Sequence, residues 1–191
     1  MILRSTTKMP EIWKAASTDK TRHVLNGVYY EITDGPEGKQ GRLIATDGRK
    51  LVYVPCQYED GDVPGIIPND AMKEAYKQGK KLGIVSIKTF LPEGYTVGKC
   101  KLQNAAEYSM IDGQFPKYEQ VIPNFEGKKT IKVCINPDFL IEISEAIGKG
   151  NAAGTTLELS LNSDGEFDLG PIVVSCGTGD KTKAIVMPMR M

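Results

Sequence analysis

The chain has 191 residues, 40% hydrophobic and 25% charged, the balance of an ordinary soluble protein with room for one large core or two small ones. Lysine plus arginine and aspartate plus glutamate both number 24, so the net charge is zero. That excludes nonspecific attraction to nucleic acid through total charge; a DNA-facing surface would need local segregation of charge.

The first expected helix runs from Met9 to Ser17, with Pro10 in its first turn and Ile12, Trp13 and Ala16 on one face. Strands follow at Val24–Ile32, Arg42–Thr46 and Lys50–Pro55, with Asp47-Gly48 forming a hairpin turn that Arg49 lengthens. A second helix opens at Asn69 as cap and reaches about Lys81, its apolar side made by Met72, Ala75, Tyr76 and Leu82. Strands at Ile84–Phe90, Tyr95–Leu102 and Glu107–Ile111 come next. A polar stretch, Asn124–Lys129, is the expected linker. The third helix begins at Asn136-Pro137 and ends near Ile147, burying Phe139, Leu140, Ile143 and Ile147. Strands at Thr156–Leu161, Phe167–Ser175 and Lys183–Met187, with a turn at Asp164-Gly165, finish the chain.

One helix followed by a short meander of strands recurs three times. Such units cannot bury both sides alone, so they join into larger antiparallel sheets with the helices on one face, an α+β fold.

The four cysteines, Cys56, Cys100, Cys134 and Cys176, form no CxxC pair, and His23 is a single histidine. The expectation is free thiols in a reducing compartment, no metal site and no cofactor. The opening Met1–Lys8 is too short for the apolar core of a signal peptide, and no run approaches the ~20 apolar residues of a membrane span, so the cytoplasm is expected. No catalytic residues are expected either. Gly177-Thr178-Gly179-Asp180 lacks the lysine and spacing of a phosphate-binding loop, and His23 has no Ser or Cys partner in sequence. Glu59, Asp60 and Asp62 read as a solvated loop.

Three segments resemble the β subunit of bacterial DNA polymerase III, the sliding clamp. They are Leu25-Asn26-Gly27 with Ala45-Thr46-Asp47-Gly48-Arg49-Lys50-Leu51; Ile111-Asp112-Gly113-Gln114-Phe115-Pro116-Lys117-Tyr118 with Val121-Ile122-Pro123; and Val186-Met187-Pro188-Met189-Arg190-Met191. The resemblance implies a processivity fold of three half-units per chain. Residues 1–123 would be a complete domain like the clamp's middle one, and 124–191 half a domain, like the second half of the last. The clamp's whole first domain and the first half of its third have no counterpart, so the family's usual ring closure is unavailable and another oligomer is implied.

In the family, polymerase, clamp loader and repair proteins insert a short peptide between the middle and last domains. The matching positions are Leu25, Thr46, Gly48, Arg49, Lys50, Leu51, Pro116, Gln120, Val121, Ile185, Met187, Pro188, Met189, Arg190 and Met191. Gln120 stands where many clamps have arginine, and Lys50 where arginine is frequent. The resemblance thus implies a non-catalytic replication accessory protein that binds clamp-recognition peptides, as a homo-oligomer without membrane attachment; a self-associating adaptor competing for clamp clients off DNA is the other reading. Lys73, Lys77, Lys80 and Lys81 recur along the polar side of the second helix, and Lys20 and Arg22 follow the first, where clamps approach duplex DNA. Asp138, Glu142 and Glu145 give the third helix an acidic stripe instead.

Overall fold

The computed structural model describes residues 1–4, 9–146, 155–166, 170–176 and 183–189. They belong to two compact units, Met1–Glu119 and Gln120–Met191.

The first unit holds two four-stranded antiparallel sheets. Strands β1 (Ile2–Arg4), β2 (Gly27–Gly35), β3 (Gly38–Thr46), β4 (Leu51–Cys56), β5 (Gly65–Pro68), β6 (Ile84–Phe90), β7 (Lys99–Leu102) and β8 (Glu107–Ser109) are shared between them. One sheet has the order β4-β3-β2-β5 and the other β1-β6-β7-β8. Each carries one helical segment: a 3-10 turn at Ile12–Ala15 lies over β3 and β4, and helix α1 (Asn69–Gly79) lies over β6.

Alternation places Val28 and Tyr30 of β2, Leu43 and Ala45 of β3, and Ile67 of β5 on one face of the first sheet. These residues share one core with Val85, Ile87, Cys100 and Leu102 of the second sheet, and with Ile12, Ala15, Met72 and Ala75 of the helical segments. The opposite face of the first sheet has its own smaller cluster, in which Leu25, Ile44 and Ile66 lie under Phe115 and Tyr118. Cover on both faces explains the unbroken apolar runs Val28–Tyr30 of β2 and Leu43–Ala45 of β3.

Several elements depart from expectation. The Met9–Ser17 helix is only the Ile12–Ala15 turn, because the chain becomes extended at Ala16 and the Ser17 N–H donates to the distant Leu25 carbonyl at 2.9 Å. Ile12 and Ala16 are nonetheless buried and Trp13 is half-buried against the core, so tertiary pairing overrides helical propensity here. Val24 and Leu25 end a second 3-10 turn, Lys20–Leu25, and β2 starts only at Gly27. Asn69 does not cap α1; Pro68 holds that position, and the Asn69 side-chain oxygen is buried without a partner. Leu82 is exposed rather than part of the helix's apolar side.

The acidic loop is corrected as well. Asp62 is buried, not solvated: its Oδ2 lies 2.5 Å from the Met1 amino nitrogen, which also donates to the Ile87 carbonyl at 2.7 Å. Burial pushes the Asp62 carboxyl up, but the Met1 ammonium and the N–H groups of Thr89 and Glu59 outweigh it and hold the group below its ordinary value. Glu59 sits 3.2 Å from the same amino group.

In the second unit, helix α2 (Pro137–Ala146) packs on a three-stranded antiparallel sheet of order β11-β10-β9, with β9 at Thr155–Glu158, β10 at Ile172–Cys176 and β11 at Lys183–Val186. Asn136 caps α2, its side-chain oxygen accepting from the Asp138 N–H at 3.0 Å. Ile172, Val174 and Val186 form the core, with Ile143 packed partly against them. The expected stripe of α2 is not buried: Phe139 is exposed, and among the described residues the helix has no buried position. A three-stranded sheet offers one helix too little surface to close over. Ile147 and Phe167 lie outside the described residues.

Candidate functional site: a braced turn, an aromatic groove and an apolar tail

Three segments of the first unit, remote in sequence, meet on the outer face of the first sheet: the Lys20–Leu25 turn, the Asp47–Lys50 turn joining β3 to β4, and the stretch Asp112–Tyr118. Leu25 lies in the outer cluster and Leu51 packs against it, so these two expected site residues share one apolar floor with Ile44 and Phe115.

The Asp47–Lys50 turn is held by its own side chains. The Thr46 hydroxyl donates to the Lys50 carbonyl at 2.7 Å and accepts from the Gly48 N–H at 3.0 Å. Asp47 Oδ1 accepts from the Arg49 and Lys50 N–H groups at 2.9 and 3.0 Å, and its Oδ2 pairs with the Lys50 ammonium. Lys50 first, then those two N–H groups, hold the Asp47 carboxyl well below the usual carboxylate range. Gly48 takes a positive φ of 87°, which such a tight reversal requires. Arg22 braces the turn from outside, its guanidinium donating to the Asp47 carbonyl at 3.1 Å. The Arg49 side chain is exposed and, among the described residues, makes no hydrogen bond or ion pair.

His23 Nε2 lies 3.1 Å from the Asp112 carbonyl oxygen, tying the 20–25 turn to the 112–118 stretch. A side chain at Gly113 would place its Cβ 2.6 Å from Val24 Cγ1, at a φ of 132°, so only glycine fits that approach. Beyond it, Phe115 stacks on Tyr29 with centroids 5.0 Å apart and planes at 13°. A groove of about 450 Å³ opens beside this stack, lined by Tyr29, Glu31, Phe115, Pro116 and Tyr118 among others. At its rim Tyr118 donates to Glu31 at 2.6 Å and accepts from Arg42 at 3.3 Å, while Arg42 lies over the exposed Tyr53 ring. Burial, then the bond to Glu31, pushes the Tyr118 hydroxyl up to about 12, so it stays a donor at neutral pH. Sequence reasoning missed Tyr29, Glu31, Arg42 and Tyr53; the available signal was the alternation of β2, β3 and β4, which sends them to the face opposite Tyr30 and Leu43.

The remaining site residues belong to the second unit. Gln120 and Val121 are exposed, at the end of a 3-10 turn. From β11 onward every second residue is an exposed apolar one: Ile185 (66%), Met187 (59%) and Met189 (50%). The Met189 N–H donates to the Cys134 carbonyl at 2.8 Å, which anchors this tail to its unit. Pro188 is half-buried; Arg190 and Met191 lie outside the described residues.

This geometry has counterparts among known proteins. No protein-family model matches the chain. The β sliding clamp of Caulobacter vibrioides is 33% identical over 120 residues, covering 60% of this chain and 31% of that protein. The β sliding clamp of Treponema pallidum is 28% identical over 144 residues, covering 70% and 33%. Among solved structures, the Caulobacter crescentus β sliding clamp superimposes with a TM-score of 0.67 at 20% identity, over 93% of this chain and 47% of that one. A Bartonella birtlesii sliding clamp bound to griselimycin gives 0.59 at 20% identity, over 95% and 63%. The chain is similar in sequence to part of the bacterial β sliding clamp and shares its fold. It spans about a third of the length of these curated relatives.

In this clamp-like chain the basic positions expected to face DNA are partly occupied. Lys73 pairs with Asp70 at 3.5 Å and Lys77 with Glu74 at 3.8 Å, while Lys80 lies over the Tyr76 ring. Exposed pairs of this kind are worth ~0.2–1 kcal/mol and leave the lysines able to exchange partners. Lys20 and Lys81 are exposed. Among the described residues, no group of His, Cys, Asp and Glu could hold a metal ion, and no helix is long and apolar enough to cross a membrane.

Proposed function

We propose that the chain is a non-catalytic, cytoplasmic accessory of DNA replication, with residues 1–123 serving as a clamp-like domain and 124–191 as half of one. Its central activity is docking the short clamp-recognition peptides of polymerase, clamp loader or repair proteins. The residues proposed to take the peptide are Leu25, Thr46, Gly48, Arg49, Lys50, Leu51 and Pro116 in the first unit, and Gln120, Val121, Ile185, Met187, Pro188, Met189, Arg190 and Met191 in the second.

The observation that carries this reading is the tail. Three exposed apolar side chains on alternate positions of one anchored segment are an unusual expense of surface for a monomer, and two of them are flexible methionines able to fit related ligands. A partner's leucine and phenylalanine buried there would contribute ~1.5–3 kcal/mol each. The exposed Arg49 guanidinium is available for the peptide's polar groups.

A fluorescent peptide of the Gln-Leu-x-Leu-Phe type tests the proposal by anisotropy. Saturable binding that Met187→Asp abolishes is expected; no binding, or undiminished binding by that variant, refutes it. The adaptor reading, in which the same pocket competes for clients off DNA, is favoured by the ion-paired lysines of α1 and the acidic polar side of α2. Duplex affinity that falls steeply with salt and weakens in Lys77→Glu would favour the DNA-contacting form through Lys20, Arg22, Lys73, Lys77, Lys80 and Lys81.

A further inference from the structure

We infer that the open apolar face of the second unit is closed by the same face of a second copy, so that two half-units from two chains complete one two-sheet domain about a two-fold axis. The inference concerns a different surface from the peptide pocket and does not depend on it.

The first unit shows how such a half is satisfied. There, two sheets, each with one helical segment, share a single core in which Val28, Tyr30, Leu43, Val85 and Ile87 are at most 2% exposed. Among its described residues the second unit has one sheet and one helix of the same kind and no opposing half. Its core comprises Ile172, Val174 and Val186.

The uncovered surface is specific. Leu140, Ile143 and Ser144 face the sheet side of α2, with Phe139 (47% exposed) and Ile141 (57% exposed) flanking them. At 100° per residue, Asp138, Glu142 and Glu145 fall on the opposite side. Leu157 of β9 pairs with Val174 and so points to the core face of the sheet, yet it remains exposed. An apolar cavity of about 230 Å³ stays open between α2 and the sheet, bounded by Leu140, Ser144, Thr155, Leu157 and Val174. A dry face of this kind loses both water exclusion and packing contacts until something covers it.

A second copy is the occupant this arrangement favours. In the first unit, the element that closes a sheet-and-helix half is another sheet-and-helix half, and the two halves there already close on each other. The second unit of another chain presents such a half. An isologous contact needs a face compatible with itself, and this one qualifies: apolar at its centre, with its carboxylates on the far side of α2, where they remain in water.

Sedimentation velocity on the full chain over a concentration series, with amide exchange on the same samples, tests the inference. A reversible dimer is expected, with amides of residues 139–146 and 155–158 gaining protection as dimer forms. Ile141→Glu should raise the dissociation constant at least tenfold with an unchanged far-UV spectrum, whereas Leu82→Glu, exposed in the first unit, should leave it unaltered. A monomer at all concentrations overturns the inference, as does an assembly in which those amides gain no protection or which Ile141→Glu leaves intact. Should Ile141→Glu fail to fold, the exchange profile of the unaltered chain decides.

Discussion

Thr46→Val isolates what the braced turn contributes to peptide docking. Valine keeps the shape and β-propensity of threonine but removes a hydroxyl that makes two bonds, donating to the Lys50 carbonyl at 2.7 Å and accepting from the Gly48 N–H at 3.0 Å. Each bond is exposed to water, so each contributes at the lower end of the usual net range, about 0.5–1 kcal/mol. The two together hold roughly 1–2 kcal/mol of order in the Asp47–Lys50 turn. Asp47 and Arg22 still brace it, so the turn loosens without melting. A peptide that needs the turn ordered must then supply that ordering free energy from its own binding. The expected loss is about 5–30-fold in affinity. Anisotropy titration with the clamp-motif peptide measures it, and amide exchange at residues 48–50 reports the loosening independently. Faster exchange with unchanged affinity would refute the link between turn order and docking; unchanged exchange would refute the bracing itself.

Three further outcomes follow from the first unit. The folded-state pKa of Asp62 lies below its unfolded value near 3.9, so its contribution is complete above that value and is lost as pH falls from there through the lower folded-state pKa; urea midpoints measured against pH should show this acid loss, and Asp62→Asn should flatten it while costing about 3 kcal/mol at neutral pH. Gly113→Ala must place a methyl group against Val24 at a positive φ and should destabilise the unit by about 1–3 kcal/mol by chemical denaturation; a neutral result would mean that the 112–118 stretch yields freely. Burial pushes the Cys56 and Cys100 thiols up to about 12, so a thiol reagent at neutral pH should label both far more slowly in the folded protein than in denaturant, as read by peptide mass mapping.

What could be read from the sequence was what depends on neighbours in sequence. The alternation of Ile84–Phe90, the Asp47-Gly48 reversal and the Asn136 cap are each decided within a few residues, and each is found where expected. Elements decided by distant partners were not legible. Strand β1 has three residues and no pattern of its own; it exists because it pairs with β6. The Met9–Ser17 helix gives way because Ser17 finds Leu25. Asp62 looked solvated because a carboxylate in a polar loop usually is, and the amino group that buries it stands at Met1. The site divides in the same way. Its turn was legible, whereas the Tyr29–Phe115 stack could be seen only after two separate segments had been folded onto one sheet.

The two sets of residues proposed to contact peptides, one in each unit, differ in kind, and the difference bears on how several clients are served. The Asp47–Lys50 turn is fixed by several short, directional side-chain bonds. The tail presents methionine and isoleucine, whose contacts are non-directional and can be redistributed at little cost. A fixed wall reads what all clients share, the spacing of backbone and polar groups. An adaptable wall accommodates what differs among them, the shapes of their apolar anchors. Damage to the turn should therefore weaken every client by a similar factor, whereas a change of shape at Met187 or Met189 should reorder clients against one another. A panel of peptides differing only in their apolar anchors would separate the two behaviours, and a uniform loss from both kinds of substitution would show that the walls do not divide the work.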